Sequence, residues 1–258
     1  MYIHLFMVIK KMLKTQNLNI GCDYAMKEKS EYLTIIGLKS VNCYLLKQDD
    51  KYILIDSGLS RNRAEIEKMI KQSGCKYGDL KLILLTHGDS DHTGNCAYIR
   101  DKYGSKIAMH RGDLGMVELG DFAWNRNLNL LMKIVGKIFI RILGLRLKKE
   151  DRFTPDIILD DVQSLNEYGI NLTVINIPGH SKGSLGILTA RGDFFCGDLL
   201  MNKKIPTKND LIADQEAFEK SIDKLKMLNI NIVYPGHGKP FPINEFFDNY
   251  LGGGKSVI

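Results

Sequence analysis

The hydrophobic and polar positions of the chain follow two kinds of pattern. Short apolar or alternating runs separated by polar turns occupy residues 32–58, which predicts a β-meander. Residues 61–73 carry apolar side chains at helical spacing, and this helix is expected to end near Gly74. The apolar run 80–85 predicts a buried strand, and residues 95–104 predict a second helix after a polar loop.

The second half of the chain repeats this alternation. Residues 170–184 indicate a strand followed by a loop, and residues 185–200 indicate a hairpin followed by a loop. A helix is predicted over 217–228, before a last strand and loop over 229–238. Strands mixed with helices in two similar halves favour an α/β sandwich whose helices lie outside the sheets.

Composition and charge narrow the class of protein. With 258 residues, 44% of them hydrophobic and 26% charged, the chain can bury a substantial core. The net charge of +6 comes mainly from scattered lysines, and the densest basic stretch is residues 133–149. A Lys/Arg block typical of a nucleic-acid-binding arm is missing, so we expect no nucleic-acid partner.

The five cysteines are odd in number, far apart and never in CxxC spacing, which favours neither a disulfide scaffold nor a thiolate zinc site. Cys43, Cys96 and Cys196 lie in strand or helix patterns and are expected in the core. A reducing compartment fits this usage best, so the protein is expected in the cytoplasm.

The start of the chain is interpreted as an extension. Residues 1–30 include an apolar run, but its lysines follow that run and no small-residue cleavage site comes after it, which disfavours a signal peptide. Met12 would also serve as a start. Residues 31–258 are then expected to form a single domain with a helical insertion at about 112–150.

Side chains that can bind metal ions concentrate on the loops that follow predicted strands. Residues 87–92 alone contain two histidines and two aspartates, and four of the six histidines of the chain lie on such loops. The full set is His87, Asp89, Asp91, His92, His180, Asp198 and His237. One such loop by itself could be a capped polar turn, but the set points to one metal site. Imidazole and carboxylate without thiolate suit zinc, iron, manganese or cobalt.

The motifs THGDSDH, PGHSKGS, GDLL and YPGHG, in this order after the strand ILIDSG, resemble the five signature motifs of the metallo-β-lactamase fold superfamily. The run SVNCYLL…KYILIDSG is most similar to the branch that contains glyoxalase II. The resemblance implies a four-layer αββα sandwich, of α+β or α/β class, with a dinuclear metal site at one edge of its sheets. The residues after position 240 are too few for the glutathione-binding extension of glyoxalase II, which argues against that enzyme itself.

The resemblance also implies roles for single residues. His87, the residue at position 89 and His180 would hold the first ion, Asp91, His92 and His237 the second, and Asp198 would bridge the two. Asp56, in the ILIDSG strand, would support the site loops without binding metal. The chain departs from the family at one position, because the usual HxHxDH motif here reads HxDxDH.

The departure at Asp89 adds a third carboxylate to the site. With two divalent ions and one hydroxide, the charge of the site would fall from about +1 to about zero. This change favours metals that accept oxygen ligands, such as iron and manganese, more than it favours zinc. Two divalent ions are expected, with zinc still favoured. Two alternatives stay open: Asp89 falls short of the ion and leaves a mononuclear site, or it binds through a water molecule.

Hydrolysis is the reaction that such a site implies. A metal-bound hydroxide would attack an ester, thioester or lactone-like bond of a small molecule, and Asp91 would carry a proton to the leaving group. Two alternatives differ in class: a non-haem iron oxidoreductase of the same fold, and a protein with a degraded site that binds a ligand or partner.

Three further residues near the motifs are candidates for substrate contact. Lys182 and Lys239 each follow a candidate histidine ligand by two residues and could hold an anionic group, unless they are solvated loop lysines. Tyr234 could offer its hydroxyl to an oxyanion, although a tyrosine at the end of a buried strand is typical of the core.

Residues 128–149 form the most distinctive local pattern outside the motifs. Polar side chains recur every four residues along one stripe, and nearly every other position is apolar, which predicts an amphipathic helix. Its charges and glycines exclude a membrane span. It could pack against its own domain, form a homodimer contact or lie on an anionic membrane. It could also form a lid with Phe139, beside Trp124, in which case the substrate has an apolar portion.

Overall fold

The structure is a computed structural model that describes residues 32–126, 130–142, 144–168 and 171–252. The extension predicted for residues 1–30 lies outside these ranges. So does part of the helix predicted over 128–149.

Six strands form the first sheet in their order along the chain. They are β1 (Leu33–Leu38), β2 (Val41–Gln48), β3 (Lys51–Ile55), β4 (Leu80–Leu84), β5 (Lys106–His110) and β6 (Ile157–Leu159). The first three strands pair antiparallel, which confirms the predicted meander, and β3 to β6 pair parallel. Strands β3 and β4 are almost wholly apolar because both of their faces are buried.

The second sheet has the order β14-β13-β10-β9-β8-β7. Its strands are β7 (Gln163–Ser164), β8 (Leu172–Asn176), β9 (Leu185–Thr189), β10 (Asp193–Gly197), β13 (Ile232–Pro235) and β14 (Phe241–Pro242). Within it β10 and β13 run parallel and the other neighbours antiparallel. A separate hairpin pairs β11 (Leu200–Asn202) with β12 (Pro206–Lys208).

Six helices lie in the connections between the described strands, and a seventh follows the last of these strands. They are α1 (Arg63–Gln72), α2 (Ser90–Thr93), α3 (Cys96–Tyr103), α4 (Leu114–Glu118), α5 (Leu130–Ile142), α6 (Gln215–Lys226) and α7 (Ile243–Gly252). The helices predicted over 61–73, 95–104 and 217–228 correspond to α1, α3 and α6.

Three apolar clusters separate four layers of structure. One lies between α1, α3 and the first sheet, one between the two sheets, and one between the second sheet, α6 and α7. Adjacent residues of β10 show the alternation, because Phe194 packs toward the helices and Phe195 toward the other sheet. Helix, sheet, sheet and helix therefore follow one another, and the αββα fold implied by the resemblance is confirmed.

The helix predicted over 128–149 ends in the structure before its apolar pattern does. Helix α5 ends at Ile142, and Gly144 then takes a left-handed φ of 64°. The amide of Gly144 donates to the carbonyl of Arg141, and that of Leu145 donates to the carbonyl of Ile140, a glycine-dependent helix end. In the described part of the chain no helix is long and apolar enough to cross a membrane.

Candidate metal centre

The seven candidate ligands occupy loops that leave β4, β8, β10 and β13. The loop after β4 carries His87, Asp89, Asp91 and His92. The short helix α2 begins directly after Asp89, and His92 is buried within it. His180 follows β8, Asp198 follows β10 and His237 follows β13. Strands β4, β10 and β13 each end at the same edge of the sandwich, as the C-terminal ends of parallel strands do.

Each of the four histidines is oriented by an oxygen that faces its Nδ1. The pairs are His87 with Thr86 Oγ1 at 3.1 Å, His92 with Asp56 Oδ2 at 2.8 Å, His180 with the Leu211 carbonyl at 2.6 Å, and His237 with the Ser40 carbonyl. Carbonyls and carboxylates only accept, and the Thr86 hydroxyl already donates to Asp56. Nδ1 is therefore the donor in each of these contacts, and Nε2 is the ring nitrogen that faces the other candidate ligands.

Asp56 lies at the end of β3 and holds the first loop in place. Its carboxylate accepts hydrogen bonds from the Thr86 amide at 2.9 Å, the Thr86 hydroxyl at 2.7 Å and the His92 ring at 2.8 Å. Its φ of 57° is left-handed, a conformation that aspartate tolerates better than most residues. The residue thus orients a candidate ligand without facing the site itself.

The donor set fits a divalent cation. The Nε2 atoms of His87 and His92 and the Oδ1 atom of Asp198 are buried and make no hydrogen bond within the described residues. His92 Nε2 and Asp198 Oδ1 lie 3.3 Å apart, but they are not aligned for a hydrogen bond. Buried polar atoms without partners are costly, and a cation shared by His92 Nε2 and Asp198 Oδ1 would satisfy both.

The ligand atoms gather into two groups. One contains His87, His180 and Asp198, and the other contains Asp91, His92 and His237, with the ligand atoms of each group within 4.8 Å of one another. His237 Nε2 also lies 3.2 Å from Asp198 Oδ2, which places that carboxylate beside both groups. The arrangement matches the two-group division that the resemblance implies, except that Asp89 belongs to neither group.

Charge in the second group favours a cation. Burial alone would lower the pKa of His92, but the carboxylates of Asp56, Asp198 and Asp91 raise it well above its usual range. Burial alone would raise the pKa of Asp198, whereas His237 and His92 lower it well below its usual range. Carboxylates outnumber the cationic groups here, so a bound metal ion would replace protons on the imidazoles.

Asp89 is paired with an arginine that the sequence analysis missed. Nη2 of Arg126 lies 2.9 Å from Oδ1 and 2.7 Å from Oδ2 of Asp89, and 3.3 Å from Nε2 of His180. Burial alone would raise the pKa of Asp89, but the Arg126 guanidinium lowers it well below its usual range. The third carboxylate of the site is therefore neutralised by the protein itself.

Asp113 is a second residue that sequence reasoning missed. Its buried carboxylate accepts from the Gly88 amide at 2.9 Å, the Ser181 hydroxyl at 2.7 Å and the Gly183 amide at 2.8 Å, and also from the Asn125 side chain. It thereby ties both histidine loops to the segment that carries Arg126. Its position at the start of the insertion, away from every motif, gave no signal of this role.

The segments on either side of α5 contact the loop that carries Asp89. Arg126 donates from Nη1 to the Phe122 carbonyl at 2.9 Å, and a Cβ added to Gly136 of α5 would meet the Phe122 ring. At the other end, the Ser90 hydroxyl donates to the Leu145 carbonyl. Helix α5 is thus packed beside the loop that carries Asp89.

The candidate substrate residues lie in different surroundings. Lys182 and Lys239 are exposed, and Trp124 is 53% exposed with its ring over Gly115. The side chain of Phe139 lies outside the described part of the structure.

Tyr234 corrects one expectation. Its ring stacks on Phe195 with centroids 4.9 Å apart and meets Tyr44 edge-on at 5.6 Å. Its side chain also hydrogen-bonds to Asp193, at the opposite end of β10 from Asp198. The residue belongs to the core between the sheets and does not present its hydroxyl to the metal ligands.

Comparison with known proteins supports this assignment. Hydroxyacylglutathione hydrolase GloC of Haemophilus influenzae is 27% identical over 210 residues, which are 79% of this chain and 88% of that protein. The probable metallo-hydrolase YqgX of Bacillus subtilis is 26% identical over 207 residues, 79% of this chain and 87% of that protein. The crystal structure of TTHA1623 in a di-iron-bound form is 26% identical, with a TM-score of 0.63, and covers 83% of this chain and 96% of that one.

A family model described as the metallo-beta-lactamase superfamily matches residues 36–237, which include every candidate ligand. Sequence, fold and site therefore agree, and the chain belongs to the metallo-β-lactamase superfamily.

Proposed function

We propose that the protein is a metal-dependent hydrolase that cleaves an ester, thioester or lactone-like bond of a small molecule. The observation that carries the proposal is the set of four histidines whose Nδ1 atoms are held by oxygen acceptors, which turns each Nε2 toward the two ligand groups. When bound, a divalent ion lowers the pKa of its water to about 7 and polarises the bond under attack. A degraded site would have no reason to keep all four rings in this orientation.

Asp91 is the candidate for proton transfer. Its side chain is 28% exposed, against 9% for Asp198, so it can meet both the site and an incoming substrate. Its Oδ2 lies 3.6 Å from His237 Nε2, within the second ligand group. From this position the carboxylate could take a proton from the nucleophilic water and pass it to the leaving group.

A thioester is the substrate bond that we propose first. GloC carries the name of a hydroxyacylglutathione hydrolase and is matched over 88% of its length. This relative supports a thioester among the three bond types that are expected from sequence.

The substrate is proposed to have an apolar portion. Helix α5 presents Leu130, Ile134, Ile138 and Ile142, four residues apart, as a largely exposed stripe. The stripe lies on the same segment as Arg126 and Trp124. A homodimer or an anionic membrane are the other occupants proposed for it.

The metal is proposed to be zinc, iron or manganese. TTHA1623 was crystallised with two irons, so iron is compatible with this fold. The buried free cysteines Cys43, Cys75, Cys96 and Cys196 are compatible with a reducing compartment, and we propose the cytoplasm.

Metal analysis and a hydrolysis panel test the proposal together. The protein, purified without added metal, would be analysed by mass spectrometry for bound metals and assayed on thioesters, lactones, β-lactams and phosphodiesters. We expect chelator treatment to abolish turnover and re-addition of one metal to restore it. His92→Ala should remove both metal and activity, whereas His110→Ala, at a partly buried histidine outside both ligand groups, should remove neither.

Two results would redirect the proposal. Bound iron together with oxygen consumption would indicate a non-haem iron oxidoreductase. A protein that binds no metal and turns over no substrate would indicate a ligand-binding protein with an inactive site.

A further inference from the structure

We infer that the Arg126 guanidinium takes the place of the first metal ion, so that the chain holds one divalent ion, in the group of Asp91, His92 and His237 with Asp198. The inference rests on the proposed function, because it assumes that the second group binds metal. It differs from the two-ion site that the resemblance implies.

Nε2 of His180 has a single bonding position to offer a metal ion. His180 Nδ1 faces the Leu211 carbonyl at 2.6 Å and must donate to it, so Nε2 has one bonding position left, and Asp89 Oδ2 already faces that position at 3.0 Å. Nη2 of Arg126 lies 3.3 Å from that Nε2. An N–H donor and a metal ion cannot share the same lone pair, so an ion bound by His180 would have to displace Arg126.

Asp89 adds to this exclusion. Both of its carboxylate oxygens contact Nη2 of Arg126, at 2.9 and 2.7 Å, and Oδ2 also lies 3.0 Å from His180 Nε2. Nη2 of Arg126 therefore lies between the Asp89 carboxylate and the His180 imidazole, and the carboxylate balances the positive charge of the guanidinium. His87 Nε2 is the remaining nitrogen of the first group, and one nitrogen with a shared carboxylate makes a poor metal site.

Hydrogen bonds of Arg126 and of its neighbour Asn125 hold the guanidinium in this position. Its Nη1 donates to the Phe122 carbonyl at 2.9 Å, and the neighbouring Asn125 side chain donates to the Gly112 carbonyl at 2.7 Å. The Arg126 side chain is only 14% exposed. Displacing it would leave a buried carboxylate without its counter-ion and a guanidinium without its acceptors, which is unfavourable.

The second group has no such competitor in its contacts. His92 Nε2 and Asp198 Oδ1 remain without hydrogen-bond partners in the described structure, and His237 Nε2 faces Asp198 and Asp91 at 3.2 and 3.6 Å. One ion with two imidazoles and two carboxylates would be neutral in total, and Arg126 with Asp89 forms a second neutral pair. The charges of these ligands and of the Arg126–Asp89 pair thus sum to zero when one divalent ion is bound.

Metal stoichiometry tests the inference without any assay of activity. Chelator-treated protein would be titrated calorimetrically with Co²⁺, and the ions that remain after gel filtration in metal-free buffer would be counted by mass spectrometry. We expect about one Co²⁺ per chain for the wild type. Arg126→Gln, and the double variant Asp89→His with Arg126→Gln, should each hold about two, because the first group is then open.

Arg111→Gln is the matched control, since Arg111 lies directly before the insertion and pairs with an aspartate, Asp160, at the surface. It should keep one ion. Two ions on the wild type, or one ion on both Arg126 variants with native circular dichroism, would overturn the inference and leave the hydrolase proposal intact. No bound ion on the wild type would overturn both. The wild-type count decides even if a variant fails to fold.

Discussion

Nη2 of Arg126 contacts both carboxylate oxygens of Asp89, at 2.9 and 2.7 Å, across 37 positions of sequence. The contact joins the first ligand loop to the insertion that precedes the second half of the chain. It also removes the excess negative charge that a third carboxylate would bring to the site. Arg126 is therefore the counter-ion of Asp89, the unusual residue of the HxDxDH motif.

Replacing Asp89 by asparagine should destabilise the protein. The variant leaves a buried guanidinium without its ion-pair partner, and breaking such pairs costs about 3–5 kcal/mol. Because both side chains keep some exposure, we expect the lower end, about 3 kcal/mol, by urea denaturation of the metal-free protein. Asp160→Asn, which breaks the exposed pair with Arg111, should cost less than about 1 kcal/mol. Equal losses in the two variants would contradict the importance of burial here.

The fold and most of the candidate site were predictable because they depend on local signals. Strand and helix periodicity indicated the meander and the helices α1, α3 and α6, and the motif loops follow strands whose C-terminal ends meet at one edge. Arg126 could not be predicted in this way. It lies in a loop without periodicity, and only the question of what balances the charge of Asp89 would have led to it.

At two other places the structure differs from what the sequence pattern suggests, each for a physical reason. Apolar periodicity continues past Ile142, but Gly144 adopts a left-handed φ that ends the helix, which hydrophobic pattern alone does not show. Tyr234 sits beside a motif histidine in sequence, yet strand alternation turns its ring toward Phe195 and Tyr44.

Asp56→Asn should weaken metal binding while the fold persists. Asparagine tolerates the left-handed backbone of this position, but its NH2 group cannot accept, so either the Thr86 amide at Oδ1 or the Thr86 hydroxyl and His92 ring at Oδ2 would lose their acceptor. Loss of such an orienting hydrogen bond typically costs 10- to 100-fold in metal affinity. Competition with a chromophoric chelator would measure it. Asp193→Asn, a buried carboxylate at the far end of β10, should leave the affinity unchanged.

Glu67 should make stability depend on pH in the acid range. Hydrogen bonds from Lys102, Lys71 and Tyr98 lower the pKa of Glu67 to about 2. Because the folded-state pKa lies below the unfolded value of about 4.3, the stabilisation is complete above that value and is lost as pH falls toward 2. Glu67→Gln should thus cost about 1 kcal/mol at pH 7, as these partners are partly solvated, and little near pH 2. A cost that is independent of pH would contradict this assignment.

Helix α5 offers a test of the apolar portion of the substrate. Ile138 is 55% exposed, so Ile138→Glu should change the free energy of unfolding by less than about 0.5 kcal/mol. If the stripe contacts an acyl chain, kcat/KM for a long-chain acyl thioester should fall about tenfold, equivalent to about 1.4 kcal/mol, while a short-chain thioester is unaffected. Met227→Glu, at an exposed apolar position directly after α6, is the control. A uniform change for both substrates would argue against a pocket wall.

Gly236 should be required for the ligand geometry itself. A Cβ at this position would lie 2.5 Å from Asp198 Oδ1 and 2.6 Å from His92 Cε1, so the side chains of two candidate ligands would have to move. We expect Gly236→Ala to reduce metal affinity at least about 10-fold, as changes of ligand orientation do.

A second glycine separates this effect from loss of stability. A Cβ at Gly186 would lie 2.3 Å from the Phe194 ring in the core, so Gly186→Ala should lower the free energy of unfolding by about 1–3 kcal/mol through overpacking. Because Phe194 packs toward the helices and not toward the ligand loops, the folded variant should keep its metal affinity. Chelator competition and urea denaturation on both variants would show opposite patterns. If Gly236→Ala binds metal as tightly as the wild type, Asp198 and His92 do not hold the ion together.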